Sequence, residues 1–381
     1  MIAFKGGTIL TMEGQKTIPH GIILVEGPII RSVGSDIEIP HGCQIIDATG
    51  CYITPGFIDA HTHLGLEEEI YRVEGDDVNE INEPLTPQLM AADGINFYDL
   101  GFCDALRGGV TRSLCMPGSA NIIGGQAALI KHYALEAMQM IDRNPWGVKA
   151  ALGENPKRVY GERKKSPVTR MASASLLREA LYTASQAMNN KKLSLSERFK
   201  WEPVMQVLKK EQPLLLHVHR ADDILTALRI KDEFDFNLIL QHGTEAFLVA
   251  EELRRRQVPV CLGPLLVNRA KVELKAVSFK NAAKLAELGV QFCLVTDHPV
   301  VPIEQLRVCA ALAAREGLGE EQALEAVTIN AATILGVADY LGSISVGKRA
   351  DLALFDGHPL EYRSRLRQVM VDGLLWGGNR E

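Results

Sequence analysis

The sequence predicts an α/β protein: an eight-stranded β/α barrel of the TIM-like (β/α)8 class, with a small composite β-sandwich built from the two ends of the chain. Three observations carry this. Short, nearly continuous apolar runs alternate with amphipathic helical stretches through the middle of the chain. Both ends read as strand–turn–strand. Histidines and carboxylates terminate the apolar runs one after another.

The N-terminal segment contains "MIAFKGGTILTM", "GIILVEGPIIRSVG" and "CQIIDATGCYITPGF", β-branched stretches punctuated by Gly, Pro and Asp. The C-terminal segment has "GSISVGKRADLALFDG" and "RQVMVDGLLWGG", with the same texture. Because the termini of a domain tend to lie close together, the two ends are expected to form one sandwich from residues 1–54 and 343–381. That leaves 55–342 for the barrel.

Within the barrel segment the apolar runs are "GFIDAH", "GVTRSLCMP", "GVKAALGE", "PLLLHVH", "NLILQHG", "VPVCLG" and "GVQFCLVTD". Helical stretches such as "ASASLLREALYTASQAMNN", "EAFLVAEELRRRQ" and "SFKNAAKLAELG" lie between them. The eighth strand is assigned to "NIIGGQAALIKH". A doubly wound open sheet is the structural alternative, but no GxGxxG follows any run.

The chain has 381 residues, 46% hydrophobic and 23% charged, the composition of an ordinary globular protein. With 41 basic and 47 acidic residues the net charge is −6, which argues against nucleic-acid or anionic-membrane partners. The seven cysteines are dispersed with no CxxC pair, as in reduced thiols. No signal-peptide pattern opens the sequence and no run approaches a membrane span, so a soluble, cytoplasmic protein is expected.

The residues that end the strands carry the chemistry. The first run closes with His61 and His63, "GVKAALGE" with Glu154, "PLLLHVH" with His217 and His219, "NLILQHG" with His242, and "GVQFCLVTD" with Asp297 followed by His298. Residues i and i+2 of a strand share a face, so the two His-x-His pairs each present two imidazoles on one side. In a β/α barrel all carboxyl ends of the strands converge on one rim. Imidazoles gathered there with carboxylates suit a divalent transition metal: Zn first, with Fe, Mn or Co as alternatives. One such histidine would be unremarkable; a succession of them is not.

Glycine-rich "PGSANIIGGQ" lacks the GK[ST] ending of a phosphate loop. It reads instead as a rim loop where backbone approaches substrate, with Asn121 and Gln126 as polar contacts. The basic run Asn155–Arg170 is either a solvated loop or a lid that draws a carboxylate. His298 is expected to be a packing residue, and His20, His41, His132 and His358 to be surface or sandwich residues outside the cluster.

"PGFIDAHTH", the strand-end histidines, "TDHP" and the closing "GSISVGKRADLALFDG" resemble the amidohydrolase superfamily across nearly the whole chain, closest to its imidazolonepropionase-related and prolidase-like branch. The resemblance implies a metal-dependent hydrolase in which His61 and His63 bind the more buried ion. His217 and His242 would be ligands from the fifth and sixth strands, and Asp297 both ligand and proton acceptor. Many binuclear members bridge their metals with a carboxylated lysine. Here Glu154 takes that place first and Lys157, set in a loop past Pro156, second. His219 either orients substrate or supports a ligand, and whether it or His217 is the fifth-strand ligand stays open, as does one metal or two. Arg220 occupies the position where mononuclear deaminases carry a glutamate, and it is counted among the substrate contacts.

The function implied is hydrolysis of a C–N bond by a metal-activated hydroxide, in an amide or cyclic amide, a small N-acyl amino acid or a dipeptide. A heterocycle deaminase is the alternative, and a non-catalytic barrel the weakest reading, because every expected ligand position is filled. Small-molecule substrate and a homo-oligomeric state are expected.

Overall fold

The computed structural model describes residues 1–70, 73–190 and 192–377, so the last four residues of the expected 343–381 segment lie outside the described residues. In chain order the strands are β1 (Ile2–Leu10), β2 (Thr17–Glu26), β3 (Ile29–Gly34), β4 (Gln44–Asp47) and β5 (Tyr52–Pro55). Next come β6 (Phe57–Thr62), β7 (Val110–Cys115), β8 (Ile123–Lys131), β9 (Ile141–Ala151), β10 (Leu214–Val218), β11 (Leu238–His242), β12 (Val260–Leu262) and β13 (Phe292–Leu294). The last three are β14 (Leu352–Phe355), β15 (Leu366–Val371) and β16 (Leu374–Trp376).

The two ends of the chain meet in one eight-stranded sheet of order β16-β15-β14-β5-β1-β2-β3, with β4 also paired to β1. β4 takes the first half of one β1 edge and β5 the second half, both parallel to it. Phe4, Ile9, Ile23, Ile30, Ile53, Leu352, Leu354 and Met370 fill its own core. On its other side, Ala353, Phe355, Val369 and Val371 join the core that surrounds the barrel strands.

The second sheet runs β6 to β13 in sequence order. A parallel bridge between Thr62 and His298 brings its first and last strands together, so the barrel is nearly closed. All seven apolar runs are strands of this sheet, and the eighth is β8, where the sequence placed it. Its direction differs from an ideal β/α barrel, because β8 runs antiparallel to both β7 and β9. The connections explain this: residues 116–122 and 132–140 are too short for a parallel crossover, which takes roughly a dozen residues.

Side-chain alternation then builds the site. Leu215, Ile239, Cys261, Cys293 and Val295 point into the barrel with Ile58, Ala60, Leu114 and Leu129, forming a closed apolar plug. Their neighbours Leu214, Leu216, Leu240, Val260 and Leu294 face the helices. Continuing each interior row by two residues turns Leu215 into His217, Ile239 into Gln241 and Val295 into Asp297. The plug therefore ends in a layer of polar side chains at the carboxyl rim.

Arg112 on β7 joins the two sheets. Its fully buried guanidinium bonds Asp351 (Nε to Oδ2, 2.8 Å) and Asp372 (2.5 Å), and lies 2.9 Å from Asp142. Asp372 also takes Lys131 at 2.9 Å and Arg349. Asp351 and Arg349 belong to "GKRADL", so that segment is the clasp between sheets. Arg112→Met would leave three acids facing one another and should cost about 3–5 kcal/mol in a denaturant titration. Burial opposes the charge on Asp372, but Arg112 and Lys131 outweigh it and hold the carboxyl below its usual range. The clasp is thus complete above about pH 4 and fades as the pH falls through that lowered value, so the gap between wild type and variant should narrow in acid. Equal midpoints at neutral pH would refute the clasp.

Candidate metal centre

Five imidazoles and one carboxylate converge at the rim. His61 Nε2 and His63 Nε2 lie 3.1 Å and 3.3 Å from the same oxygen of Asp297. The ring centres of His61 and His217 lie 4.6 Å and 4.4 Å from that of His242, with His219 at 4.7 Å. Two overlapping sets bring one ligand atom from each member within 4.8 Å of one another: His61, His242 and Asp297, and His217, His219 and His242. His61, His217, His219 and His242 are all buried.

Local backbone devices aim these groups. A register shift between Asp59 and Thr62 turns His61 inward although Ile58 and Ala60 already face the interior. His242 and Asp297 adopt left-handed backbone (φ +74° and +58°), rare for such residues and concentrated at functional sites.

The hydrogen bonds fix which nitrogens are bare. His63 Nδ1 donates to the Met116 carbonyl (2.7 Å) and His242 Nδ1 to the Gly263 carbonyl (2.8 Å). His61 Nδ1 pairs with Gln241 Oε1 at 2.7 Å. In a neutral ring each Nε2 is then the lone-pair nitrogen. For His61, which burial keeps neutral, that lone pair faces a carboxylate oxygen, an arrangement of acceptor against acceptor that a cation between them would relieve. His217 has no hydrogen-bond partner at either ring nitrogen. Burial keeps the imidazoles neutral: it pushes His61 and His219 down to about 4, and His217 and His242 well below the ordinary value. Neutral, bare and convergent nitrogens beside a carboxylate are the donor set of a divalent transition metal.

A cavity of about 530 Å³ opens over this layer, floored by His63, His217, His219 and Asp297. Leu266, Val267 and Leu274 line one side; Asn79, Ser119, Asn155, Glu67 and Lys271 supply the polar wall. The sequence profile of the amidohydrolase family matches residues 52–375. The chain belongs to the amidohydrolase family.

The chain is 32% identical over 386 residues to amidohydrolase tasK of Hapsidospora irregularis, covering 93% of this chain and 39% of that protein. It is 37% identical over 71 residues to a D-phenylhydantoinase of Escherichia coli, 19% of this chain and 15% of that protein. The chain thus spans well under half the length of these curated relatives. Among solved structures, an amidohydrolase from Thermotoga maritima MSB8 superposes with a TM-score of 0.94 at 43% identity, over 98% of this chain and 99% of that one. A prolidase complexed with N-methylphosphonate-L-proline superposes at 0.64 with 19% identity over 98% and 99%, a likeness of fold.

Six of the residues singled out from sequence meet here: His61, His63, His217, His219, His242 and Asp297. Glu154 does not. It begins the helix Glu154–Glu162, partly exposed and outside both ligand sets. Lys157 lies on that same helix and not in a loop, because Pro156 falls in the first turn, where its missing N–H breaks no helical bond.

Asn121, Gln126 and Arg220 do not line the cavity. Asn121 is consumed by Glu80, Thr86 and the Tyr160 hydroxyl. Gln126 belongs to β8, where its backbone N–H donates to the Leu89 carbonyl at 2.7 Å. Gly125 permits that approach, since a Cβ there would meet the Leu89 oxygen at 2.7 Å. What comes close to the glycine pair is the protein's own segment 85–90. Arg220 turns to Asp222 at 2.8 Å. His298 packs, accepting from the Ile303 N–H, whereas His132 is buried against Ser113 and the Val110 carbonyl instead of lying at the surface.

Two residues enter that sequence reading missed. Lys149 on β9 is fully buried, its Nζ 3.4 Å from His61 Nε2 and 3.4 Å from the Met116 sulfur. Burial pushes it down to about 8. A lone lysine inside the apolar run "GVKAAL" was the available signal. Glu273, 1% exposed, places Oε1 3.8 Å from both His217 Nε2 and His219 Nε2. It sits in a run of charged residues and gave no signal.

Elemental analysis should show that His217→Ala loses at least half of the wild-type metal while Glu154→Gln keeps it all. Undiminished metal in His217→Ala would remove that residue from the ligands.

Proposed function

We propose that the protein is a metal-dependent hydrolase of C–N bonds in small substrates: amides or cyclic amides, N-acyl amino acids and dipeptides among them. The observation that carries this is the convergence of bare imidazole nitrogens on the Asp297 carboxylate beneath an open cavity. Residues 55–342 would be the catalytic barrel, with 1–54 and 343–381 packed beside it as one β-sandwich domain.

His61, His63 and Asp297 would hold one ion, with His217, His219 and His242 holding a second; zinc suits this donor set best. Lys149 supports a pair. A buried ammonium with no carboxylate beside it is costly. Adding the neutral amine to carbon dioxide, with loss of one proton, would give a carbamate, an anionic oxygen donor that would help hold the ions. We assign to Lys149 the bridging role that the resemblance implied for Glu154. A divalent ion supplies Lewis acidity and lowers the pKa of water from 15.7 toward roughly 7.

The protein's own side chains do the rest. Asp297 borders the cavity, so its carboxylate can take a proton from the attacking water and return it to the leaving nitrogen. Lys271 donates to Asn155 Oδ1 at 2.8 Å, and Asn155 in turn donates to Ser119 at 2.7 Å. An ammonium has three donors, so Lys271 keeps two for a substrate carboxylate. Leu266, Val267 and Leu274 would cover an apolar side chain. A deaminase would want a glutamate where Arg220 stands, turned away toward Asp222.

The reading is tested with N-acyl amino acids, dipeptides and cyclic amides as substrates. Turnover of at least one class is expected, with Asp297→Asn slower by about 10²–10⁴-fold. Wild-type rates in that variant would remove Asp297 as proton carrier, and no turnover of any class by metal-loaded protein would refute C–N hydrolysis.

A further inference from the structure

Glu273 lies in the short helical turn Val272–Leu274, in the segment between β12 and the helix Lys280–Glu287. Its Oε2 is anchored by the backbone N–H of Glu154 at 3.1 Å. Gly153 makes room for it: a Cβ there would lie 3.0 Å from Oε2, and its φ of +86° suits glycine. Its Oε1 is buried with no hydrogen-bond partner, and so are both ring nitrogens of His217. Among the described residues no lysine or arginine lies within ion-pair distance of this carboxylate.

A buried carboxylate oxygen without a donor is costly, and such an orphan in a native fold calls for an occupant. The occupant must be cationic, because the nearest groups are two neutral imidazoles. It must also be small, because Glu273 is 1% exposed and does not border the cavity. Ligand bonds of 2.0–2.2 Å place tetrahedral donors roughly 3.3–3.6 Å apart. The two 3.8 Å separations between Oε1 and the histidine nitrogens are a few tenths of an ångström from that.

We infer that Glu273 is an anionic ligand of the ion held by His217 and His219, delivered from the segment that follows β12. This rests on the metal-dependent reading above and adds a ligand from outside the strand ends. Lys271 and Leu274, on either side of Glu273, line the cavity. Binding the ion therefore fastens one wall of the substrate site.

The test compares wild type with Glu273→Gln, using Zn²⁺ itself as probe. Affinity is measured by competition with a chromogenic chelator, and thermal unfolding is followed with and without the ion. Glu273→Gln should bind the weaker ion at least about tenfold less tightly. Its metal-free form should unfold at or above the wild-type temperature, because an unpaired buried charge has been removed, while its gain on loading should shrink. A merely structural carboxylate would instead destabilise both forms alike, and that result overturns the inference. Wild-type affinity in the variant overturns it too, leaving the hydrolase reading intact. Wild-type protein that takes up no zinc overturns both.

Discussion

The carboxylate of Asp59 ties the first barrel strand to the segment that follows the last. Its Oδ2 accepts from the Thr296 backbone N–H at 3.1 Å and hydroxyl at 2.5 Å, and its Oδ1 accepts from the His61 N–H at 3.1 Å. One buried side chain thus fixes the backbone of His61 and of the residue before Asp297. Those two groups come from opposite ends of the barrel sequence, and neither strand alone could hold them 3.1 Å apart. The metal centre depends on this closure in the way a clasp depends on its pin.

From that constraint the chemistry follows by subtraction. The barrel's apolar plug lies beneath the rim, and burial keeps His61, His217, His219 and His242 neutral. Backbone carbonyls of Met116 and Gly263 then occupy the Nδ1 protons of His63 and His242, which fixes ring orientation and aims the lone pairs inward. Acceptors pointed at one another favour a cation between them. The same reasoning applies further out, where the Lys149 ammonium and the unpartnered Oε1 of Glu273 are buried beside the histidines.

Much of this was legible in the sequence because strand alternation is a short-range rule. His217 and Asp297 continue interior rows begun by Leu215 and Val295, so they could be placed by counting in twos. Lys149 obeys the same rule and was visible as a lone charge in an apolar strand, but the eye goes to strand ends. Glu154 follows that strand by only a few residues, yet the chain turns into a helix there and carries its side chain outward. The direction of β8 was encoded in two connections too short for a crossover. Glu273 was not legible: its place depends on a gap at Gly153 and on the path of a segment more than a hundred residues later. Loop packing was likewise hidden: the Asn121 side chain bonds Glu80, Thr86 and Tyr160, and Gln126 pairs its backbone with Leu89, so neither lines the cavity.

The central claim is that the strand-end cluster exists to hold metal. Elemental analysis of protein purified without chelators or a metal-affinity tag tests it most directly. About two equivalents of a divalent transition metal per chain are expected, the number that a bridged pair requires. A chain that contains none, and takes up none from zinc, manganese or cobalt salts, would contradict the claim.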